Sequence, residues 1–505
     1  MARRRPERQW RSFRRAFRPT GAVMIGVALA TVACAFVGTV WDLIVPNASL
    51  PRGGALPMLV AAAVSAAAGA LLYRYGKTES QTNLNRREAL LSVALIWLMA
   101  GVCSGLPFLF AADLSPADAL FEAVSGLTTT GATVITDIET RLSRPLLLWR
   151  SMTQWLGGMG IVVLFVAVFP SLGAGGKHLY RGEAPGAQAE GFKPRIAETS
   201  LALWKFYLFF TVAEFVVLTA LGMDPFEALC HSLTTMSTGG FSTRDGSVGG
   251  FETPVFEWVI GTFMFIATVN YGLYYLALRK RDLGAFLRNV EFRVYVGLIV
   301  VAVGLLALLN LDTHGGDIGT SARYAYFMVA TTLSSTGYGA DNYTAWGFPA
   351  FALLIAMMFI GGCSGSTAGG IKIERVVMLA KQGAAQVKKS FDPNVVQVVR
   401  MGRTAISAPV LADVAVFFVI YIACMGIGVF LVVALDAVPV PTAFGAMLTC
   451  LSNMGPAPFF DLHFAGDNFA GYGAGSKVFF VFSMLLGRLE FFTLFALFVP
   501  GFWRR

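Results

Sequence analysis

Two kinds of apolar run alternate along this chain, some long enough to cross a bilayer and others too short. A spanning helix needs about twenty apolar residues, because the hydrocarbon core is about 30 Å thick and a helix rises about 1.5 Å per residue. Residues 21–45 and 56–75 reach that length, with a turn at residues 47–52 between them. The hydrophobicity continues past Ala33 and Cys34, so the first run reads as an uncleaved helix and not a signal peptide. From Ala89 onward a unit recurs with a period of roughly a hundred residues: spanning helix, short apolar helix, glycine loop, second helix.

The first unit reads 90–111, 116–127, the loop Thr128-Thr129-Thr130-Gly131-Ala132-Thr133, and 146–169. The second reads 203–221, 225–235, Ser237-Thr238-Gly239-Gly240-Phe241, and 256–278. The third reads 294–311, 324–333, Ser335-Thr336-Gly337-Tyr338-Gly339, and 348–360, with helical character resuming over 371–389. The fourth reads 411–435, 441–451, Ser452-Asn453-Met454-Gly455-Pro456-Ala457, and 478–498. The pattern predicts an all-α polytopic membrane protein. Residues 1–86 hold a basic N-terminus and two extra helices; four pore units follow at 87–198, 199–288, 289–405 and 406–505.

Two short helices carry start signals. Ser115-Pro116-Ala117-Asp118 and Asp224-Pro225-Phe226-Glu227 each offer a cap, a proline at the first helical position and an acid at the third. Phe-Glu-Ala recurs in both, at Phe121-Glu122-Ala123 and Phe226-Glu227-Ala228.

Composition agrees with this pattern: of 505 residues, 56% are hydrophobic and 14% charged, and the mean hydropathy is +0.64. The net charge of +9 would suggest nucleic acid in a soluble protein. Here the cations collect on one side, at the N-terminus, residues 177–195, Arg279-Lys280-Arg281 with Arg288, residues 372–403 and Arg504-Arg505. The opposite loops hold acids, among them Asp113, Asp137, Asp245, Asp317, Asp341, Asp461 and Asp467. That asymmetry satisfies the positive-inside rule with both termini cytoplasmic, and it leaves no nucleic-acid face. The six cysteines are scattered through apolar runs and read as packing residues, and His178, His231, His314 and His463 form no motif.

The short run ending at Leu333 enters the membrane and leaves by the same side. Its Thr336-Gly337-Tyr338-Gly339 is close to the potassium-channel filter, where backbone carbonyls replace an ion's hydration shell. Alone it would read as a surface turn, but similar loops occur four times. Each short helix ends at its loop, so the negative end of its dipole favours a cation there. Small residues without an ionised side chain argue against a carboxylate ring and predict a dehydrated monovalent cation.

Several stretches together carry a family resemblance: Thr129-Thr130-Gly131-Ala132-Thr133, Gln154-Trp155-Leu156-Gly157-Gly158-Met159-Gly160, Ser237-Thr238-Gly239-Gly240-Phe241, Gly361-Gly362-Cys363-Ser364-Gly365-Ser366-Thr367-Ala368-Gly369-Gly370, Ser452-Asn453-Met454-Gly455-Pro456 and Leu486-Gly487-Arg488-Leu489-Glu490. On these the sequence resembles the Trk/Ktr/HKT superfamily of potassium transporters, and most closely the membrane subunit of bacterial Trk systems. The resemblance implies potassium uptake across the bacterial inner membrane. It makes Gly131, Gly239, Gly337 and Gly455 the filter glycines, with Thr130, Thr238, Thr336, Asn453 and Met454 beside them. A serine at the first-loop position goes with sodium in this superfamily, so Gly131 favours potassium. The fourth loop departs from the pattern at Pro458. The resemblance also implies a homodimer and a cytosolic nucleotide-binding regulatory subunit, for which the basic stretch 372–403 offers a docking face.

Residues 348–360 are too short to cross, and the next ten hold five glycines. Each glycine costs about 1 kcal/mol against alanine inside a helix, which predicts an unwound segment lining a cavity; small-residue helix packing is the alternative. By the resemblance this segment, with Gly361, Gly362, Ser364, Gly365, Ser366, Gly369 and Gly370, is an intramembrane gating loop. Arg488 lies within the last apolar helix, and a pair with Glu490 is disfavoured because residues two apart on a helix do not face each other. At an effective dielectric near 20 and about 5 Å, its repulsion of a permeating cation is roughly 3 kcal/mol.

A sodium-permeable member of the same superfamily and a solute transporter with broken helices are the alternative functions. No nucleophile–base pair or metalloprotease motif argues for an enzyme, and no nucleotide fold is present in the sequence.

Overall fold

The computed structural model describes residues 13–45, 51, 53–77, 85–167, 192–394, 397–402, 404–455 and 468–503, without the side chains of 86, 161–167, 192–199, 280 and 344. Most of the basic N-terminus, residues 177–191, Pro456 to Asp467 and Arg504-Arg505 lie outside the described residues.

Helices α1 (Phe17–Ile44) and α2 (Ala55–Tyr75) form an antiparallel hairpin ahead of the repeating units. The first unit comprises α3 (Arg86–Ala111), the short α4 (Pro116–Leu127) and α5 (Arg144–Ala167). In the second, α6 (Phe192–Ala220) and the short α7 (Pro225–Met236) precede α8 (Pro254–Thr268) and α9 (Tyr271–Lys280). The third has α10 (Val290–Leu309), the short α11 (Ile318–Leu333), α12 (Phe348–Ile360) and α13 (Ile373–Phe391). The fourth has α14 (Ala408–Asp436), the short α15 (Val440–Ser452), α16 (Ala474–Arg488) and α17 (Phe492–Phe498). A two-residue hairpin, β1 (Arg400–Met401) with β2 (Thr404–Ala405), joins the third unit to the fourth.

Among the described residues six helices are long and apolar enough to cross a membrane: α1, α2, and the first helix of every unit. Only 22% to 56% of the most apolar stretch in each is buried, so each turns an apolar face outward. Exposed Phe36, Leu71, Val300 and Phe430 belong to that lipid-facing surface.

The predicted helix starts are present. Ser115 Oγ accepts from the Asp118 amide at 3.2 Å, and Asp224 Oδ1 accepts from Phe226 and Glu227 at 2.9 and 3.2 Å. The sequence pattern began α11 six residues late. Asp317 caps it by accepting from the Gly319 and Thr320 amides at 2.9 and 3.3 Å, which carries the helix into a polar first turn.

Two expected continuous helices are broken. The run 256–278 divides at Val269-Asn270, where α8 and α9 meet at 82° and Asn270 Oδ1 caps α9 through the Gly272 amide at 2.7 Å. The run 478–498 divides after Arg488, with a bend of 118° and positive φ at Glu490 (57°) and Phe491 (54°). The predicted unwinding in the third unit is present from Gly361 to Lys372. The described part of α5 contains no such interruption.

Candidate functional site

The four loops share the turn that ends each short helix, and the first three also share a left-handed glycine after it. Each short helix ends with an amide reaching back five residues: Thr130 to Ser125 O (2.8 Å), Gly239 to Thr234 O (2.9 Å), Thr336 to Thr331 O (3.0 Å) and Met454 to Thr449 O (3.1 Å). The preceding residue is left-handed in every case: Thr129 (φ 53°), Thr238 (55°), Ser335 (57°) and Asn453 (50°). The following residue is always glycine: Gly131 (φ 80°), Gly240 (80°), Gly337 (84°) and Gly455.

This register corrects the second loop. Gly240, not Gly239, stands in the row with Gly131, Gly337 and Gly455, while Gly239 aligns with Thr130, Thr336 and Met454. Consecutive glycines made both registers compatible with the motif; only the backbone hydrogen bonds separate them.

The loops close into a ring. A Cβ at Gly131 would fall on Gly239 O, one at Gly240 on Thr336 O, one at Gly337 on Gly455 O, and one at Gly455 within 3.0 Å of Gly131 O. Every loop therefore meets the next in chain order, and the fourth meets the first. At Gly131, Gly240 and Gly337, positive φ and the facing carbonyl exclude a side chain twice over. Gly455 donates to Thr130 O at 2.5 Å, and Asn453 Nδ2 to Thr130 Oγ1 at 3.1 Å, so the junction of the fourth and first loops is a direct bond.

Buried polar groups hold the ring from behind. Gln154, on α5, donates from Nε2 to Gly239 O at 2.7 Å and accepts from the Phe241 amide at 3.1 Å, bracketing Gly240. Glu122, on α4, accepts from Thr133 Oγ1 and the Val134 amide, both at 3.0 Å. It also pairs with Arg150 at 2.7 Å, with both side chains nearly fully buried. Arg150 in turn donates to Ser242 O at 2.8 Å and lies over the Phe241 ring. The second Phe-Glu-Ala repeats this device at a wetter place, where Glu227 pairs with Arg244 at 3.0 Å and Arg244 lies over Phe251. The hydroxyl of Tyr338 lies 2.5 Å from Thr234 Oγ1, tying the third loop to the second short helix.

Directly beneath the ring lies the unwound segment. Thr367 Oγ1 donates to Met236 O at 3.2 Å, the Gly369 amide to Ser335 Oγ at 2.5 Å, and the Gly370 amide to Ser452 O at 2.9 Å. The segment thus touches the ends of three short helices. Under the first, α5 takes its place: a Cβ at Gly157 would fall on Leu127 O. Of the expected gating residues, Gly361, Gly365 and Gly370 have φ of 70°, 74° and 78°. Gly362 O accepts from the Ile373 amide, Ser364 donates to Glu291, and Ser366 Oγ bonds to Cys363 O.

Arg488 reaches this segment. Its Nη1 donates to Thr367 O at 3.0 Å, it is 3% exposed, and Nε and Nη2 have no hydrogen-bond partner among the described residues. Glu490 does not pair with it; that carboxylate meets Arg375 at 2.7 Å instead. A second buried cation, Lys372, sits at the end of the segment and donates to Ala368 O. The sequence puts Lys372 in a cytoplasmic basic stretch, and its closeness to the glycine segment is the available sign of another role. Gln154 was visible only as part of a motif.

Comparison with known proteins agrees with this fold. The family model TrkH, described as a cation transport protein, matches residues 58–504. The Trk system potassium uptake protein TrkH of Salmonella typhimurium is 39% identical over 446 residues, covering 87% of this chain and 91% of that protein. The Trk system potassium uptake protein TrkG of Escherichia coli is 32% identical over 438 residues, covering 85% and 88%. The crystal structure of the potassium transporter TrkH from Vibrio parahaemolyticus superposes with a TM-score of 0.86 at 32% identity, covering 97% of this chain and all of that one. With the ring of loops and the broken helices beneath it, these matches establish that the chain belongs to the TrkH family of cation transport proteins.

Proposed function

We propose that this protein takes up potassium across a bacterial inner membrane, with the four-loop ring as its filter and the segment 361–372 as a barrier below. The ring carries the reading: four equivalent loops in cyclic contact, with glycine wherever one loop meets the next carbonyl. The negative ends of four short helices face the ring, which favours a cation there. A cation entering would take Thr130 O from the Gly455 amide, exchanging a hydrogen bond for an ion contact. Relatives bear the name potassium uptake protein, and Gly131 leaves the first position without a hydroxyl.

Arg488 and Lys372 add positive charge where the segment closes the path. Both termini are cytoplasmic in this reading, the protein is a homodimer, and a separate nucleotide-binding subunit acts on the cytoplasmic face. The test is uptake in cells lacking their own potassium systems, with rubidium, sodium and proton flux measured in parallel. Rubidium uptake resisting excess sodium is expected; equal competition by sodium would overturn potassium selectivity.

A further inference from the structure

One carboxylate braces the unwound segment at both of its ends. Glu291, in the first turn of α10, is 2% exposed, and its Oε1 accepts from the Ser364 amide at 2.7 Å and from the Glu374 amide at 3.2 Å. Ser364 lies early in the segment, and Glu374 is in the first turn of α13. An acid in a first helical turn ordinarily answers its own helix's dipole in water. Glu291 instead spends its oxygen on amides more than seventy residues away in sequence. The middle of the segment is held oppositely, by cations on carbonyls: Arg488 on Thr367 O and Lys372 on Ala368 O. Anion to amides at the base and cations to carbonyls at the crest together define one closed shape.

We propose that Glu291 is the latch of this segment, a positioning residue whose bonds to Ser364 and Glu374 keep the barrier closed. The inference rests on the proposed role of the segment as a barrier. It differs from an electrostatic role by sign. A buried anion that merely attracted cations would, when neutralised or removed, lower flux; a latch would raise it. Length separates the two as well. Glu291→Asp keeps the charge but shortens the reach, whereas Glu291→Gln keeps an acceptor oxygen at the same place.

The test measures rubidium uptake per surface-expressed protein for Glu291→Ala, Glu291→Asp and Glu291→Gln. It also follows the modification rate of Cys363 by a cytoplasmic-side thiol reagent, with the other five cysteines replaced. Cys363 lies within the segment and is 1% exposed, so its reactivity reports opening independently of transport. Hydrogen bonds to a charged group are strong enough that losing them should raise uptake and Cys363 reactivity about tenfold in the Ala and Asp variants. The Gln variant should fall between these and the parent, and the potassium-to-sodium ratio should not change. Unchanged Cys363 reactivity in well-expressed Ala and Asp variants, or uptake in Gln below that of the parent, would overturn the latch. Faster Cys363 reaction without any rubidium uptake in the parent would keep the latch and reject the potassium reading.

Discussion

The ring of loops and the layer beneath it are built from the same four repeats, yet one is regular and the other is not. In the ring, each unit contributes the same left-handed residue, the same five-residue return and a glycine. One level down, α5 runs on under its short helix, while the second, third and fourth units break at Val269-Asn270, at residues 361–372 and after Arg488. A site that surrounds an ion with equivalent ligands needs every copy alike. A movable obstruction needs only one long excursion, which the third unit supplies and the Arg488 bend of the fourth helps to hold. The symmetry of one layer and the asymmetry of the other thus follow from what each is proposed to do.

The comparison can be broken most severely from behind the ring. The Glu122–Arg150 pair is buried on both sides, so removing one partner strands a charge and should cost about 3–5 kcal/mol. Glu122→Gln is expected to lose most surface expression, measured by labelling intact cells. Arg488→Gln acts in the lower layer: lifting a repulsion of roughly 3 kcal/mol should raise rubidium flux by up to about two orders of magnitude. Deleting several residues between Gly362 and Gly369 should raise flux in the same direction. Reduced flux at normal expression in both variants would show that this stretch packs helices and does not obstruct.

A smaller effect sharpens the register of the second loop. At Gly240 a side chain meets backbone at positive φ, costing about 1–2 kcal/mol, so Gly240→Ala should relax selectivity whatever its neighbours are. At Gly239 the obstacle is the Gln154 side chain, so the selectivity lost in Gly239→Ala should return in part when Gln154→Ala is added. Rescue of Gly240→Ala by Gln154→Ala would contradict the register. Smallest is Glu227→Gln: its pair with Arg244 is partly exposed and should contribute about 0–1 kcal/mol, leaving expression near the parent level.

The regular layer was the legible one. Repetition exposed the four units, and Pro116, Pro225 and their caps marked two short helices to within a residue. The break at Gly361 was visible because glycine is costly in a helix. The other two breaks were not visible: Asn270 is a single cap inside an apolar run, and Glu490-Phe491 carries no glycine or proline. Asp317 escapes a hydrophobic pattern because its helix begins with polar residues. Lys372 and Glu291 escaped for a further reason: their roles depend on contacts across the fold, and a repeat pattern carries no information about those.

The most direct test compares rubidium uptake and its competition by sodium in the parent, in a deletion within 362–369 and in Gly337→Ser, each normalised to surface expression. The account predicts higher uptake with an unchanged ion ratio in the deletion, and a relaxed ratio in Gly337→Ser. A changed ratio in the deletion, or an unchanged one in well-expressed Gly337→Ser, would contradict the division of labour between the two layers.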